Sequence, residues 1–421
     1  MSQLRVLIVC ASIAGPTAAY WFAKAGASVT VIERFPQMRT GGQNIDIRTS
    51  GVTVMRRMPG MEAAVRAKSA EIDSLCFVRE NGQPYGIIRA TGNPDQQSLL
   101  SEYEIFRGDL AQELHDLTKN NKNIKYLFNE QIAPIQQDKE LNSYVTVEFT
   151  NDSPNAEYDL VVACDVATSR TRAIGLGCGV RDHIHPTNCW AAYFSIKQDL
   201  LQGSKMGHAH NSVPGRFMAI GPYSAGGNII NMTALHPQNG PDATASLRDA
   251  MKQGDHSLKE YIANHFKGHG WKTEEVLAAL IDTDDLYANE VVQVKVPSLH
   301  NGRFALVGDA GYAPGFTGTG TTLAITGAYV LAGEICKHKG NLKAGLEGYE
   351  RTMRPIITEM SKVSPLVSTF LAPQTAWGLW LRNNIFALIA WSNLLDYAQR
   401  LLGSFAGNAS EYPLPEYEWV E

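Results

Sequence analysis

The N-terminal part of the chain carries an apolar pattern that changes from strand-like to helical and back to strand-like. Residues 4–9 form a short apolar run rich in β-branched side chains, which predicts a parallel strand buried on both faces. After a turn of small residues, the helical pattern covers residues 13–24, with Pro16 expected at the first helical position and Gly26 ending the helix. A second strand is predicted over residues 28–32. The pattern therefore predicts a βαβ unit.

Glu33 directly follows the second predicted strand. In a dinucleotide-binding unit the turn lets the backbone approach a pyrophosphate at the helix N-terminus, and an acid about 20 residues further on accepts hydrogen bonds from the ribose. Glu33 has that spacing. One such unit is also compatible with a packed crossover that binds no ligand, so other segments must decide between the two interpretations.

Three further motifs follow in order along the chain. Phe-Arg-Gly-Asp-Leu occupies residues 106–110, an apolar strand over residues 159–165 ends on Asp165, and a third strand ends on Gly308-Asp309-Ala310 before a Gly/Thr-rich loop. With Glu33-Arg34, these motifs resemble the single-component FAD-dependent aromatic hydroxylases, which have the p-hydroxybenzoate-hydroxylase-like fold. The chain is most similar to the branch that contains tetracycline-inactivating monooxygenases and many oxygenases of secondary metabolism. The likeness extends over nearly the whole chain, including residues 41–48 and 414–417.

The resemblance implies an α/β fold with a discontinuous Rossmann-like FAD-binding domain of the GxGxxG type. This domain is expected to comprise residues 1–71, 99–180 and 294–361. A substrate domain with an antiparallel β-sheet is expected over residues 72–98 and 181–293, and a C-terminal helical segment over residues 362–421.

The same resemblance implies the cofactor site. Asp309 would bind the ribityl and pyrophosphate region, Arg107 would lie near the flavin, and backbone amides around Gly318 and Thr322 would face the flavin ring. The loop before a helix suits that role because its free N–H groups stabilise negative charge. The FAD-binding residues implied are Ile13, Ala14, Gly15, Glu33, Arg34, Arg107, Asp165, Gly308, Asp309, Gly318, Gly320 and Thr321. No catalytic residue and no metal ligand is assigned.

Three residues depart from the family pattern in this predicted site. Cys10 and Ser12 occupy two of the three turn-glycine positions, and Val166 follows Asp165 where the family has Asp-Gly. A side chain at such a turn costs about 1–3 kcal/mol if the glycine-like geometry is kept, and valine is worse than most residues at positive φ. Serine is a common variant at its position in this branch of the family. The costs at Cys10 and Val166 together would weaken FAD binding roughly a hundredfold to ten-thousandfold. Both hypotheses, that the protein retains FAD and that its site is mostly empty, therefore stay open.

The substrate domain shows alternating segments over residues 190–196 and 217–223, the second joined to residues 228–232 in a predicted hairpin. Its large side chains predict a pocket for a hydrophobic, aromatic or polycyclic guest, although each one singly is more often sheet core. The pocket candidates are Trp190, Tyr193, Phe194, Phe217, Met218 and Tyr223. Three histidines could transfer protons near neutral pH or be ordinary surface residues: His208, His210 and His236.

The composition and charge of the chain limit the classes of molecule that it is expected to bind. The chain has 421 residues, of which 44% are hydrophobic, enough for a large core, and its net charge of −5 argues against nucleic acid. Six cysteines without paired spacing predict free thiols, and the absence of a signal-peptide pattern predicts a cytoplasmic location.

Residues 376–402 are rich in Trp and Leu but interrupted by Arg382 and Asp396, which predicts no membrane span. An amphipathic helix pair over the substrate domain is expected, with peripheral membrane contact as the alternative.

The leading hypothesis is an FAD-dependent monooxygenase that uses O2 and transiently docked NAD(P)H to hydroxylate or epoxidise a lipophilic small molecule in secondary metabolism. The rival is a flavin-empty protein that catalyses a cyclisation, isomerisation or pericyclic reaction in the same pocket. A binding protein without turnover is the third possibility.

Overall fold

The computed structural model describes residues 3–39, 41–69, 72, 74–90, 101–137, 144–151, 153–223, 226–236, 242–362, 372–391 and 413–420. The strands are β1 (Arg5–Val9), β2 (Ser28–Glu33), β3 (Asn44–Asp46), β4 (Ser74–Val78), β5 (Pro84–Arg89), β6 (Glu104–Phe106), β7 (Ile124–Phe128), β8 (Ile132–Gln137), β9 (Val145–Phe149), β10 (Ala156–Tyr158), β11 (Leu160–Ala163), β12 (Ile184–Ile196), β13 (Met206–Ser212), β14 (Arg216–Pro222), β15 (Asn228–Leu235), β16 (Tyr287–Val294), β17 (His300–Asn301) and β18 (Phe304–Leu306). The helices are α1 (Ala14–Lys24), α2 (Thr49–Arg56), α3 (Met61–Ala67), α4 (Arg107–Thr118), α5 (Arg170–Leu176), α6 (Ala245–Gln253), α7 (Asp255–Phe266), α8 (Thr273–Asp282), α9 (Asp309–Tyr312), α10 (Gly320–Lys337), α11 (Leu342–Met360) and α12 (Ala376–Trp391).

A six-stranded sheet in the order β17-β18-β11-β1-β2-β7 forms one half of the fold. All neighbouring strands from β18 to β7 are parallel, and only the edge pair β17–β18 is antiparallel. Val6, Leu7 and Ile8 of the central strand have no exposed surface, as expected for a parallel sheet covered on both faces. Because the strands are parallel, the ends of β1, β11 and β18 meet at one edge.

The predicted βαβ unit is confirmed as β1-α1-β2, with one difference. Pro16 is the third residue of α1 rather than the first, a position that is still within the first turn, where its missing N–H costs no helical hydrogen bond. Gly26 follows the end of the helix at φ +80°, and Glu33 is the last residue of β2.

A seven-stranded sheet in the order β16-β12-β15-β14-β13-β4-β5 forms the second half. Its pairs are antiparallel except for β13 and β4, and β14–β15 is the predicted hairpin. One face of the sheet packs against α7 and α8, where side chains such as Ile262, Phe266 and Leu280 are completely buried. The other face is directed toward the carboxyl edge of the parallel sheet. β3 and β6 pair with each other, as do β8, β9 and β10.

The helix α12 packs on β5 through Phe386, whose ring contacts Phe77 and Tyr85. Of the predicted helix pair, residues 392–402 lie outside the described residues. Within the described parts of the chain, no helix is both long and apolar enough to cross a membrane. All six cysteines are free thiols, as predicted.

Candidate active site

A cleft of about 590 Å³ lies between the carboxyl edge of the parallel sheet and one face of the seven-stranded sheet. This volume is within the range of small-molecule and cofactor sites. It brings together eight of the residues that the sequence predicted for FAD binding. They are Ile13, Ala14, Arg107, Asp165, Asp309, Gly318, Gly320 and Thr321.

The turn between β1 and α1 opens the N-terminus of α1 toward the cleft. A Cβ atom added to Gly15 would lie 1.9 Å from the Cys10 carbonyl oxygen, so only glycine permits this approach of helix and turn. The Glu33 carboxylate accepts a hydrogen bond from the Ala11 amide at 2.9 Å and thereby fixes the turn. No side chain of the described residues caps α1 at Ile13, which leaves the helix N-terminus able to bind an anion.

Cys10 adopts a backbone conformation that favours glycine. Its φ is +92°, whereas Val166 is not among the residues with positive φ. The strain expected from the sequence is therefore present at Cys10 and absent at Val166. Burial, reinforced by the Glu33 carboxylate, raises the pKa of the Cys10 thiol to about 12. The thiol is protonated at neutral pH and is unsuited to act as a nucleophile.

The Cys10→Gly substitution is expected to raise the free energy of unfolding by about 1 kcal/mol, because the relief of strain exceeds the extra entropy of the unfolded glycine chain. Urea denaturation measures this change. Val166→Gly is the matched control and is expected to lose about 1 kcal/mol, since it relieves no strain. A Cys10→Gly protein no more stable than the wild type would contradict the interpretation.

Arg107 and Asp309 approach the cleft from two different elements. Arg107 begins α4 and donates a hydrogen bond from Nη2 to the Ser12 hydroxyl at 3.1 Å. Asp309 begins α9 directly after Gly308, which has φ +70°. The Asp309 side chain is exposed within the cleft but enclosed by its walls, so desolvation raises its pKa while Arg107 acts in the opposite direction. Gly308 holds this loop against the start of α1, since an added Cβ would lie 3.3 Å from the Ala14 side chain.

A second helix N-terminus faces the same cleft. Gly318, Gly320 and Thr321 line it at the start of α10, and Gly318 has φ +76°. Among the side chains the structure describes, none caps this helix at Thr319. The start of α10 therefore presents a positive electrostatic end to whatever occupies the cleft.

Asp165 follows β11 and combines a cleft position with a structural contact. Its carboxylate accepts hydrogen bonds from the Ser169 hydroxyl at 2.6 Å and the Thr171 amide at 3.4 Å, and burial raises its pKa. The nearby Arg172 was not predicted. Its completely buried guanidinium donates to the carbonyl oxygens of Ala167, Val180 and Ala310, and so joins the loop after β11 to α9.

The remaining predicted cofactor residues lie outside the cleft wall. Gly15 and Gly308 act through backbone packing, and Glu33 fixes the turn. Arg34 is exposed, and its guanidinium lies over the Phe35 ring at 4.8 Å.

The substrate-side wall corrects the sequence prediction. Tyr193 lines the cleft, together with the alternate β12 residues Cys189 and Ala191. Three other candidates face the opposite side of the sheet and are buried against the helices: Trp190, Phe194 and Met218. Large apolar side chains marked the hydrophobic core here, whereas the cleft wall is made of smaller and more polar residues.

The other candidates also lie outside the wall. Phe217 pairs directly with the cleft residue Thr233, so it shares that face of the sheet without reaching the cleft. Tyr223 contacts the Phe106 ring at a centroid distance of 5.3 Å.

The three predicted histidines do not line the cleft. His208 and His210 pair with Ile220 and Met218 on the helix side of the sheet, and His236 Nε2 lies 3.1 Å from His265 Nε2. Burial lowers the pKa of all three, which favours their neutral forms. Proton transfer in the cleft by these residues is not supported by their placement.

Four polar residues of β3, β6 and the loop before β3 line the cleft and were not among the predicted site residues: Gln43, Asn44, Asp46 and Glu104. Gln43 Oε1 and Asn44 Oδ1 are buried and have no hydrogen-bond partner in the part of the chain that the structure describes. These acceptors could be satisfied by donors of a bound molecule. The segment Gly-Gly-Gln-Asn-Ile-Asp at residues 41–46 was the sequence signal that could have identified Gln43, Asn44 and Asp46.

The cleft fits FAD by its own geometry. It has two uncapped helix N-termini, a turn that only Gly15 permits, buried acceptors without partners, and a carboxylate placed beside Arg107. A phosphate-bearing cofactor with a polar ring matches this combination of groups.

Comparison with known proteins adds three kinds of match. The family model described as "FAD binding domain" matches residues 3–364. The chain is 32% identical to the FAD-dependent monooxygenase asL4 of Sarocladium schorii, and the alignment covers 93% of each protein. Among solved structures, tetracycline destructase Tet(55) is 25% identical with a TM-score of 0.76, covering 99% of both chains. Klebsiella pneumoniae HpxO, solved with FAD and uric acid, shares the fold at 18% identity and a TM-score of 0.72, covering 98% of each.

Proposed function

This chain belongs to the FAD-binding-domain family of FAD-dependent monooxygenases, and from that premise we propose that it hydroxylates or epoxidises a lipophilic small molecule with NAD(P)H and O2. The observation that carries the proposal is a cleft that has a cofactor-type wall on one side and the face of a β-sheet on the other. A role in secondary metabolism is part of the proposal.

In this proposal the cofactor is held mainly by backbone groups. The N-terminus of α1 at Ile13 and Ala14 would bind the pyrophosphate, while Asp309 and Arg107 would bind the ribityl chain. The start of α10 would stabilise negative charge on the ring. Glu33 would lie near the adenosine ribose of the cofactor, and its carboxylate would still accept the hydrogen bond from the Ala11 amide.

Bound FAD would supply the activation of O2 once NAD(P)H has reduced it. The residues of the chain would position the guest and exclude water. Ala191 and Cys189 leave room for a flat molecule, and Tyr193 lies beside Tyr287 on the neighbouring strand. Burial raises the pKa of the Tyr193 hydroxyl, which therefore stays protonated and able to donate a hydrogen bond. The guest would thus be a lipophilic ring bearing at least one acceptor oxygen.

A flavin-empty catalyst was the rival hypothesis, motivated by Cys10 and Val166. FAD is the cofactor of the family, and only Cys10 has the strained geometry. The strain at Cys10 is the one observation that favours the cyclisation or isomerisation activity, and the family match together with the unstrained backbone of Val166 weighs against it.

The proposal predicts that purified protein binds FAD and consumes NAD(P)H and O2 faster when a lipophilic ring compound is added. Ala191→Leu is expected to suppress this stimulation at least tenfold with FAD content unchanged, because the larger side chain enters the cleft. Ala192→Leu is the matched control, because Ala192 is completely buried on the other face of β12. Its effect is expected to be a loss of about 1–3 kcal/mol in the free energy of unfolding through overpacking. A protein that stays colourless with excess FAD would contradict the oxygenase.

A further inference from the structure

Two carboxyl groups face each other in the cleft. Asp46 on β3 lies directly opposite Glu104 on β6, and both residues line the cleft. Like charges at directly opposed positions of a β-ladder repel each other. Arg48 donates to Asp46 Oδ2 from Nε at 3.1 Å and from Nη2 at 2.7 Å. Asp46 therefore has a strong cationic partner, while Glu104 is the carboxyl group better suited to carry a proton.

The strand β6 directs Glu104 toward the substrate side. Ile105 is completely buried in the core, so the alternation of the strand places Glu104 and Phe106 on the opposite face. The Phe106 ring contacts Tyr223, which directly follows the substrate-sheet strand β14. Glu104 thus lies at the junction of the cofactor wall and the substrate wall.

The charged and polar groups that act on Glu104 favour its neutral form. Burial is the largest influence and Asp46 adds to it, so that the pKa of Glu104 is raised to about 7. A hydrogen bond from Asn44 and the charge of Arg48 act in the opposite direction without cancelling the rise. Around neutral pH the side chain can both hold and release a proton.

The proposed reaction requires a proton at this place. Insertion of one oxygen atom from O2 with NAD(P)H as reductant yields the oxygenated product, NAD(P)+ and one water, and the balance consumes one proton from solvent per turnover. Where a bound guest excludes water from the cleft, a side chain is needed to deliver that proton, and a carboxylic acid with a pKa near the working pH is efficient in that role.

On the basis of the proposed function, we infer that Glu104 is a catalytic acid that delivers a solvent proton into the cleft. In each turnover the O–H bond of Glu104 breaks and the proton moves to the oxygen atom that leaves as water. The carboxylate then regains a proton from solvent. Asp46 is a positioning residue, whose negative charge keeps the proton on Glu104.

Infrared titration of the FAD-loaded protein, without turnover, tests the protonation directly. The wild type is expected to show a protonated-carboxyl band that disappears as the pH rises through about 7. Glu104→Gln should lack this band, and Asp46→Asn should move its midpoint to lower pH because the repelling charge is gone. Glu102→Gln is the matched control two residues away and should leave the band unchanged. A protonated-carboxyl band that still titrates near pH 7 in Glu104→Gln would overturn the inference.

Turnover measured over the same pH range provides the second readout. Glu104→Gln is expected to lower kcat at least tenfold with KM and FAD content unchanged, and to remove the inflection near pH 7. An active Glu104→Gln enzyme with the wild-type pH profile would contradict the role of Glu104 alone. Absence of NAD(P)H-dependent O2 consumption in the wild type would instead contradict the proposed function.

Discussion

Replacing Gly15 with alanine is expected to abolish FAD binding and to lower the free energy of unfolding by about 3 kcal/mol. The new Cβ would lie 1.9 Å from the Cys10 carbonyl oxygen and 3.4 Å from Ile8 Cγ2. The turn cannot retreat easily, because the Cys10 amide donates to Ile32 O at 2.8 Å and the Ala11 amide donates to Glu33. The start of α1 must therefore move away from the cleft.

Urea denaturation and flavin fluorescence titration measure the two effects of this substitution. Gly41→Ala is the matched control, since an added Cβ at Gly41 meets no atom within 4 Å among the described residues. We expect the control to retain wild-type stability and FAD affinity. A stable, FAD-loaded Gly15→Ala protein would show that the turn is more adaptable than its contacts indicate.

Replacing Asp309 with alanine is expected to weaken FAD binding about 10- to 100-fold while the apoprotein stays folded. The loss corresponds to a charge-assisted hydrogen bond to the ribityl chain, worth about 1.5–3 kcal/mol. The fold should not suffer, because desolvation already raises the pKa of Asp309 and shows that its charge is costly at this position. The expected product is a folded protein that loses its yellow colour on dilution.

Equilibrium titration with FAD, together with thermal unfolding of the apoprotein, separates the two effects of Asp309→Ala. Asp284→Ala, at an exposed aspartate that does not line the cleft, is the matched control and should change neither quantity. If Asp309→Ala binds FAD as tightly as the wild type, the carboxylate does not contact the cofactor.

The family and the fold were predictable from the sequence because their signals are local and ordered. The buried strands β1, β11 and β18 are continuous apolar runs, and each is followed by a recognisable turn. The glycine-like conformation of Cys10 was also predictable, since a turn of this geometry fixes φ whatever residue occupies it. Val166 shows the limit of that reasoning, because its turn does not require positive φ in this chain.

The cleft walls were less predictable, for two physical reasons. Glu104 and Asp46 lie on strands of three residues, too short to show a periodic pattern, and their pairing joins distant parts of the chain. On the substrate side, hydrophobicity favoured Trp190, Phe194 and Met218, which are large apolar residues of the sheet. A sheet with two buried faces places such residues in the core, while the cleft face carries small and polar side chains.

The two faces of β12 separate what an engineer could change from what must be kept. Cys189, Ala191 and Tyr193 face the cleft, whereas Trp190 and Phe194 hold the sheet to its helices. A mutant library confined to the three cleft-facing positions could therefore be screened for activity on new compounds with little loss of folded protein. Randomising Trp190 and Phe194 would mostly return misfolded clones.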